Sequence, residues 1–274
     1  MTSLIAWVAA DQRGPSSLNL ATDSRITWAS DSSGRTMRWD QTQKVFASVL
    51  APVVVGYVGD VEFPALALPH LLTRLDRCVS PAHGAPATYV VDGVRRLARD
   101  YPNLGSFTIY IGYREGGFMK STFGLTRLSH RPRAASRGPR WTHDAFEIPQ
   151  TSRAIVIDGS GRAAVKEAVD SWCLESEASV SRAISSGFID ALLEGKDPKS
   201  GGAPQWGALY RKGNGRLLGV VHKGRRYFAG GELVGGEELG DVEWRNALSE
   251  RTDGATKRRL PGAQPQPRPQ TPGE

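Results

Sequence analysis

Short apolar runs separated by turn-forming residues dominate the first sixty positions. Residues 3–10 (SLIAWVAA) form an apolar run of strand length with β-branched and aromatic members, which predicts a buried strand. A turn cluster at 11–17 precedes a second run at 18–28, so we expect a hairpin to open the chain. Residues 44–50 and 52–58 predict another pair of strands, interrupted at Ala51-Pro52.

Apolar residues at helical spacing mark the segments that follow. Over 64–76 this spacing predicts a helix, which Pro64 and Pro69 should confine to the segment after each proline. A clearer amphipathic helix is predicted over 87–101, and two more are predicted from Gly161 to about Leu174 and over about 178–193. Strands are predicted between and after these helices, at 107–113, 117–124, 154–158, 210–221 and 226–228.

The order of these elements is strands, helices, strands, helices, strands. Hairpins are frequent and no regular β-α-β alternation occurs, which indicates an α+β fold with antiparallel sheets and helices on their outer faces. We expect a single domain over residues 1–250, interrupted by an Arg- and Pro-rich insertion at about 125–152. The low-complexity basic segment 251–274 is predicted to be a disordered, Pro-rich tail.

Composition excludes several classes of protein. Two cysteines among 274 residues argue against a disulfide scaffold or a cysteine-rich zinc module. No apolar run approaches the roughly 20 residues that a membrane helix needs, and the first ten residues lack the basic start of a signal peptide. The five histidines show no ligand spacing, so we expect no catalytic metal and no cofactor. A cytoplasmic protein is the simplest interpretation.

The net charge of +7 comes from two segments. Residues 127–140 contain five arginines and no acidic residue, and the tail holds five basic and two acidic residues. Because the rest of the chain is nearly neutral, the positive charge belongs to a loop and a tail. A nucleic-acid-binding face would carry basic residues interleaved with aromatics on folded surface, so this pattern argues against a nucleic-acid partner.

Three residues near the start of the chain suggest chemistry. Initiator methionine is normally removed before a residue as small as Thr2, which would give that threonine a free α-amine with a pKa of roughly 7.7–8.0 beside its own hydroxyl. Asp23 lies in or beside an apolar strand and Lys44 precedes another. A Lys–Asp pair beside the Thr2 hydroxyl would lower its pKa, although Asp23 could equally pair with Arg25 in an exposed turn and Lys44 could be solvated.

These residues, with three further motifs, resemble the proteasome β-type subunits and the bacterial HslV- and Anbu-type peptidases, all N-terminal nucleophile (Ntn) hydrolases. The matching segments, in family order, are Thr2-Ser3, Asp23-Ser24-Arg25, Lys44-Val45-Phe46, the GYVGD run at 56–60, the DGSG turn at 158–161 and the DPKSGG run at 197–202. The resemblance implies a four-layer αββα sandwich, the Ntn hydrolase fold, with two antiparallel sheets between helix layers.

The resemblance also implies roles for individual residues. Thr2 would be the nucleophile through its hydroxyl and the base through its amine, and Asp23 and Lys44 would orient and activate it. The backbone N–H of Gly56 would donate to the oxyanion, and Val54 would form the floor of the pocket that selects apolar side chains. Around the amine, hydrogen bonds would come from Ser160, Asp197 and Ser200. Ser160 could also simply cap the following helix.

A threonine-type endopeptidase that acts on polypeptides inside a homo-oligomeric ring is therefore expected, with a cap or an ATP-dependent unfoldase as a partner and no membrane attachment. The absence of a propeptide before Thr2 favours the HslV and Anbu types. Two alternatives stay open: an Ntn amidase that hydrolyses a small amide, and a non-catalytic ring or scaffold subunit whose Arg-rich loop recruits a partner.

Overall fold

Strands and helices alternate in blocks along the chain in a computed structural model that describes residues 2–30, 36–78, 85–132, 140–174 and 180–269. The strands are β1 (Ser3–Asp11), β2 (Gly14–Thr22), β3 (Ile26–Ser30), β4 (Thr36–Trp39), β5 (Val45–Ala47), β6 (Val53–Gly59), β7 (Phe107–Glu115), β8 (Thr122–His130), β9 (Trp141–Phe146), β10 (Arg153–Gly159), β11 (Gln205–Tyr210), β12 (Arg216–His222), β13 (Arg225–Phe228), β14 (Gly231–Glu232), β15 (Trp244–Arg245) and β16 (Arg251–Thr252). The helices are α1 (Glu62–Leu75), α2 (Pro86–Leu97), α3 (Arg162–Leu174) and α4 (Val180–Glu194).

Two large sheets contain most of these strands. The first has the order β10-β1-β2-β11-β12-β13-β14, with β15 beside β12 and β16 beside β15, and the second has the order β5-β6-β7-β8-β9. Within the described residues every pairing is antiparallel except that of β12 with β15. The prediction of an α+β protein with antiparallel sheets is confirmed at this level.

Three apolar clusters hold the elements together. One packs α1 and α2 against the second sheet, with Val55, Leu71 and Val90 fully buried. Another packs α3 and α4 against the first sheet around Trp7 and Phe188. The third joins side chains of the two sheets, and its fully buried members include Leu4, Ala6, Leu18, Leu20, Val54 and Tyr110.

The predicted interruption of the first helix by proline is wrong. Helix α1 continues from Glu62 to Leu75 with Pro69 inside it. Pro64 lies in the first turn, where its missing N–H has no intrahelical partner, but Pro69 removes one internal hydrogen bond. Burial of Leu68 and Leu71 beside it stabilises the helical path despite that loss.

The segments predicted as an Arg- and Pro-rich insertion and as a Pro-rich tail contain strands where the structure describes them. Strands β8 and β9 fall largely within the 125–152 segment and pair in a register that joins Leu125 to Phe146, while residues 133–139 lie outside the described chain. Residues 251–269 are described and include β16. The Gln264 carbonyl in that segment accepts a hydrogen bond from Arg182 on α4. Residues 270–274 are outside the described part. None of the described helices combines the length and apolarity needed to cross a membrane.

The buried carboxylate of Glu250 explains why this basic, Pro-rich segment packs. It is 6% exposed and accepts a 2.8 Å hydrogen bond from the Gln266 backbone N–H and one from Asn246. A buried carboxylate needs such donors because its desolvation is otherwise uncompensated. The sequence pattern of the tail does not reveal this partner, since the bond uses a backbone group.

We predict that Gln266→Pro destabilises the fold by about 1–3 kcal/mol relative to Gln266→Ala. Proline removes the N–H that Glu250 accepts from, whereas alanine keeps it and removes a side-chain amide that has no hydrogen-bond partner among the described residues. Urea unfolding of both variants measures the difference. Equal stability of the two variants would contradict the role given to this hydrogen bond.

Candidate active site

The β1–β2 hairpin brings Asp23 beside the start of the chain. Leu4 pairs with Thr22 in this hairpin, so the next pair along the same register joins Ser3 to Asp23. The Asp23 N–H donates to the Ser3 carbonyl at 3.2 Å, and the Ser3 N–H donates to the Asp23 carboxylate at 3.1 Å. Because side chains alternate along a strand, Thr2 and Leu4 face the second sheet while Ser3 and Ile5 face the opposite way.

Lys44 connects Thr2 to Asp23. Its Nζ donates to Thr2 Oγ1 at 3.0 Å, to Asp23 Oδ1 at 3.0 Å and to the Arg25 carbonyl at 2.6 Å. Thr2, Asp23 and Lys44 are each at most 1% exposed. An ammonium group has three hydrogens, and all three are used here. Since Thr2 Oγ1 accepts from Lys44, its own hydrogen is available for donation to a base.

Asp23 is surrounded by donors. Its Oδ1 accepts from Lys44 and from the Ser3 N–H, and its Oδ2 accepts from the Arg25 N–H at 3.1 Å and the Gly201 N–H at 3.0 Å. Four donors suit an ionised carboxylate, which can only accept. This arrangement holds the Lys44 side chain in one position between Asp23 and Thr2.

Burial shifts the pKa values of both partners in this ion pair. Desolvation lowers the pKa of Lys44, against the attraction of Asp23, which favours the charged ammonium. It also raises the pKa of Asp23, against the attraction of Lys44 and the backbone donors. Each charge is therefore retained only because the other is within hydrogen-bond distance.

A second polar cluster lies on the other face of β1 and consists of Ser3, Ser160, Asp197 and Ser200. Ser3 Oγ donates to Ser200 Oγ at 2.8 Å, and Ser200 Oγ and Ser160 Oγ each donate to Asp197 Oδ2 at 2.7 Å. Burial alone would raise the pKa of Asp197, but the hydrogen bonds from Ser160, Ser200 and the Lys199 N–H lower it overall. This serine–aspartate cluster brings together three predicted site residues.

Two glycines allow the close approach of these segments. A Cβ on Gly159, whose φ is +96°, would lie 1.7 Å from the Thr2 carbonyl oxygen, and a Cβ on Gly161 would lie 1.9 Å from Ser3 Oγ. Any side chain at either position would displace the start of β1. The DGSG turn thus has a steric role beside Thr2.

Sequence reasoning gave no role to three residues that complete the site. Ser3 and Arg25 lie within the Thr2-Ser3 and Asp23-Ser24-Arg25 motifs, but only their contacts in the structure identify them as parts of the site. The Arg25 carbonyl accepts from Lys44, and its guanidinium bridges Asp40 at 2.7 and 2.8 Å. Gln205 is 2% exposed and donates to the Asp23 carbonyl while it accepts from the Lys44 N–H. A glutamine that opens an otherwise apolar strand was the available signal.

The structure places Gly56 and Val54 in the core between the sheets rather than in the Lys44 network. Gly56 lies within β6, opposite Val45 on one side and Tyr110 on the other, so its backbone groups take part in the sheet. Val54 is fully buried, in the cluster that joins the two sheets. The proposed oxyanion and pocket roles of these two residues stay predictions.

In the described parts of the chain, no three His, Cys, Asp or Glu side chains are grouped so that they could hold a metal ion. The polar groups gathered at Thr2 instead suit a reaction at the threonine hydroxyl. They place the Lys44 ammonium 3.0 Å from Thr2 Oγ1. A cation this close to a hydroxyl favours its deprotonated, alkoxide form.

We predict that Lys44→Met destabilises the protein by roughly 3–5 kcal/mol at neutral pH, because it leaves the Asp23 charge buried without a cation. The matched control is Lys166→Met, which breaks an exposed ion pair to Asp170 and should cost at most about 0.5 kcal/mol. The Lys44→Met penalty should shrink as the pH falls, because protonation removes the unpaired charge of Asp23, whose pKa burial raises. Denaturant unfolding at a series of pH values from about 5 to about 8 measures both effects. Equal penalties for the two variants would contradict the buried pair.

We predict that Gly56→Ala costs about 1–3 kcal/mol through overpacking. The added methyl would lie 2.7 Å from Leu20 Cδ2 and 3.5 Å from Leu4 Cδ1, both fully enclosed in the core. Shortening the neighbour in Gly56→Ala/Leu20→Val should restore part of the loss. If the double variant is no more stable in urea than Gly56→Ala alone, the packing explanation is wrong.

Comparison with known proteins adds one likeness. No protein-family model and no curated protein matches the sequence. Among solved structures, the chain is similar to Anbu (ancestral beta-subunit) from Yersinia bercovieri, with 15% identity over 78% of this chain and 86% of that chain and a TM-score of 0.48. This likeness is distant, and the assignment of function depends on the geometry of the site.

Proposed function

We propose that this chain is a threonine-type peptidase of the Ntn hydrolase class, with Thr2 as its nucleophile. The observation that carries the proposal is the water-excluded contact of Lys44 Nζ with both Thr2 Oγ1 and Asp23 Oδ1, each at 3.0 Å. A buried lysine is costly, and here its contacts are with the hydroxyl of the second residue and a paired carboxylate. The order of the sequence motifs is the independent support.

Cleavage of the Met1–Thr2 bond would supply the base. The freed α-amine accepts the Thr2 hydroxyl proton as Oγ1 attacks the peptide carbonyl, and the resulting C–O bond replaces the C–N bond of the substrate. The same proton passes to the departing amine. Water, deprotonated by the α-amine, then hydrolyses the ester and regenerates the hydroxyl. Lys44 stabilises the developing negative charge on Oγ1 throughout.

The surrounding residues would fix the geometry of this reaction. Asp23 keeps Lys44 protonated and in position, while the serine–aspartate cluster holds the start of β1 through Ser3. Hydrogen bonds from this cluster to the freed amine are part of the same proposal. Gly56 as the oxyanion donor and Val54 at the base of a side-chain pocket belong to the same proposal. A four-layer αββα arrangement is the corresponding fold, and the three apolar clusters support it.

Polypeptides are the proposed substrates, and a homo-oligomeric ring with a cap or an unfoldase is the proposed assembly. Exposed apolar side chains support self-association. Leu66 on α1 is 66% exposed, and Val49 and Leu50, held by Asp76 just after the same helix, are 67% and 64% exposed. Large apolar side chains that remain uncovered in one copy are typical of surfaces that another chain covers.

We predict that an epoxyketone or β-lactone probe labels Thr2 of the purified protein and that intact mass shows loss of Met1. Thr2→Ala should abolish both labelling and cleavage of fluorogenic peptides, whereas Thr2→Ser should keep measurable activity because it retains a hydroxyl. Thr126→Ala, which alters a buried threonine on β8, is the matched control and should leave labelling unchanged.

Three outcomes would overturn the proposal. Labelling that persists in Thr2→Ala would place the nucleophile elsewhere. An active protein that retains Met1 would exclude the α-amine as base. Turnover confined to small non-peptide amides would replace the peptidase by an amidase, and an inert protein without Met1 would favour a scaffold.

A further inference from the structure

A basic cleft of about 580 Å³ lies next to the candidate active site and takes no part in the proposed reaction. Strands β6 to β9 form most of it, and the end of β10 closes one side. Its charged and ionisable groups are Arg127, His130, Arg131, Arg140, Asp144 and Asp158. Ser129 and Thr142, paired across β8 and β9, add hydroxyl groups.

One residue that lines the cleft pairs with a position two residues from the proposed nucleophile. Asp158 lines it and pairs with Leu4, and the next residue, Gly159, pairs with Ser3 and touches the Thr2 carbonyl. Val58 and Gly59, at the end of β6, line the cleft from the other sheet. A peptide whose carbonyl lay at Thr2 Oγ1 could therefore extend into this space, because neighbouring residues of an extended chain are only about 3.3–3.6 Å apart.

Two of the three arginines in the cleft have no acidic partner among the described residues. Arg127 is paired with Asp144 at 2.8 Å. Asp158 is occupied by the Tyr110 hydroxyl and the Gly159 N–H. For Arg131 and Arg140, no carboxylate of the described chain lies within ion-pair distance.

A buried histidine orients one of these arginines. His130 is 1% exposed, and its Nδ1 lies 2.8 Å from the Gly105 carbonyl. A carbonyl can only accept, so Nδ1 carries the hydrogen, and burial, which lowers the pKa of His130, keeps the ring neutral. Nε2 is then an acceptor, and the Arg140 Nε–H donates to it at 3.4 Å. This contact uses Nε and leaves the two terminal nitrogens of the guanidinium for a ligand.

We propose that the basic cleft binds a carboxylate of the polypeptide substrate, through Arg131 and Arg140, and so directs cleavage to sites close to an acidic residue or to a free chain end. The inference rests on the proposed function. The backbone bond from the Arg131 N–H to the Arg140 carbonyl, 2.9 Å long, holds the two arginines at the same end of the β8–β9 pair. Guanidinium groups bind carboxylates through paired, charge-assisted hydrogen bonds, which suits a carboxylate better than a neutral amide.

The test compares three peptides that share one cleavable bond: one with Glu near that bond and an amidated end, its Gln counterpart, and the Gln peptide with a free α-carboxylate. We expect kcat/KM to be roughly tenfold higher for a carboxylate peptide than for the amidated Gln peptide. A gain with Glu alone would assign the side chain, and a gain with the free end alone would assign the α-carboxylate. Either preference should weaken as salt is raised, because the cleft is open to solvent.

The variant Arg131→Gln/Arg140→Gln should lose that preference, measured as the ratio of kcat/KM between a carboxylate peptide and the amidated Gln peptide. Its matched control is Arg74→Gln/Arg96→Gln, which removes the same charge from exposed positions on α1 and α2 and should keep the preference. A preference that survives in the cleft variant, or that disappears in the control, would overturn the proposal.

Binding separates this inference from the proposed function. Thr2→Ala cannot be acylated, so fluorescence anisotropy with the same labelled peptides measures binding without cleavage, and the carboxylate peptides should bind roughly tenfold more tightly than the amidated Gln peptide. If Thr2→Ala binds them selectively while the wild-type protein cleaves nothing, the cleft stands and the peptidase proposal fails. If the wild-type protein is labelled at Thr2 but shows no carboxylate preference in either assay, the cleft proposal alone is overturned.

Discussion

The ion pair between Lys44 and Asp23 is the interaction on which the rest of this structure depends. Two opposite charges excluded from water are costly, and the cost is offset only if every donor and acceptor around them is satisfied. Lys44 meets this condition with three acceptors and Asp23 with four donors. The start of β1, the segment after β2, the residue before β5 and the loop after α4 must therefore all converge on one point. One of the three acceptors is the hydroxyl of Thr2, so the condition for burying the pair is also the condition for a polarised hydroxyl.

The fold supplies this convergence by simple means. A hairpin with equal strands brings residue 23 beside residue 3, and antiparallel pairing of β10 with β1 brings Gly159 against Thr2. Close approach at the second point is possible only without a side chain, since a Cβ there would overlap the Thr2 carbonyl. Gln205 completes the arrangement, because its single amide joins the Asp23 carbonyl to the backbone N–H of Lys44. The site is thus held by backbone geometry first and by side chains second.

Much of the fold could be predicted from the sequence because the early strands are apolar runs and the helices carry clear periodic faces. Asp23 and Lys44 could be proposed because they lie beside apolar strands in motifs that resemble those of the Ntn hydrolases, whereas their position alone left an exposed pairing equally open. Arg25 could not, since its contribution to Lys44 is a carbonyl oxygen, and backbone groups are the same in every residue. The continuity of α1 through Pro69 and the packing of residues 251–269 were missed for a related reason. Each depends on tertiary burial that local pattern does not contain.

Lys44 and the two cleft arginines, Arg131 and Arg140, have different surroundings, which suit them to the two different roles proposed here. Lys44 is enclosed, fully paired and fixed, so it acts on one oxygen at short range. Arg131 and Arg140 are at the solvent-facing end of a strand pair, without acidic partners in the described chain, so they can attract a carboxylate that arrives from outside. Strand β10 connects the two, because Gly159 touches Thr2 while Asp158 lines the cleft. The described part of the Arg-rich insertion therefore extends the second sheet beside the proposed reaction centre. At that position the charges of Arg131 and Arg140 can influence which substrate is bound.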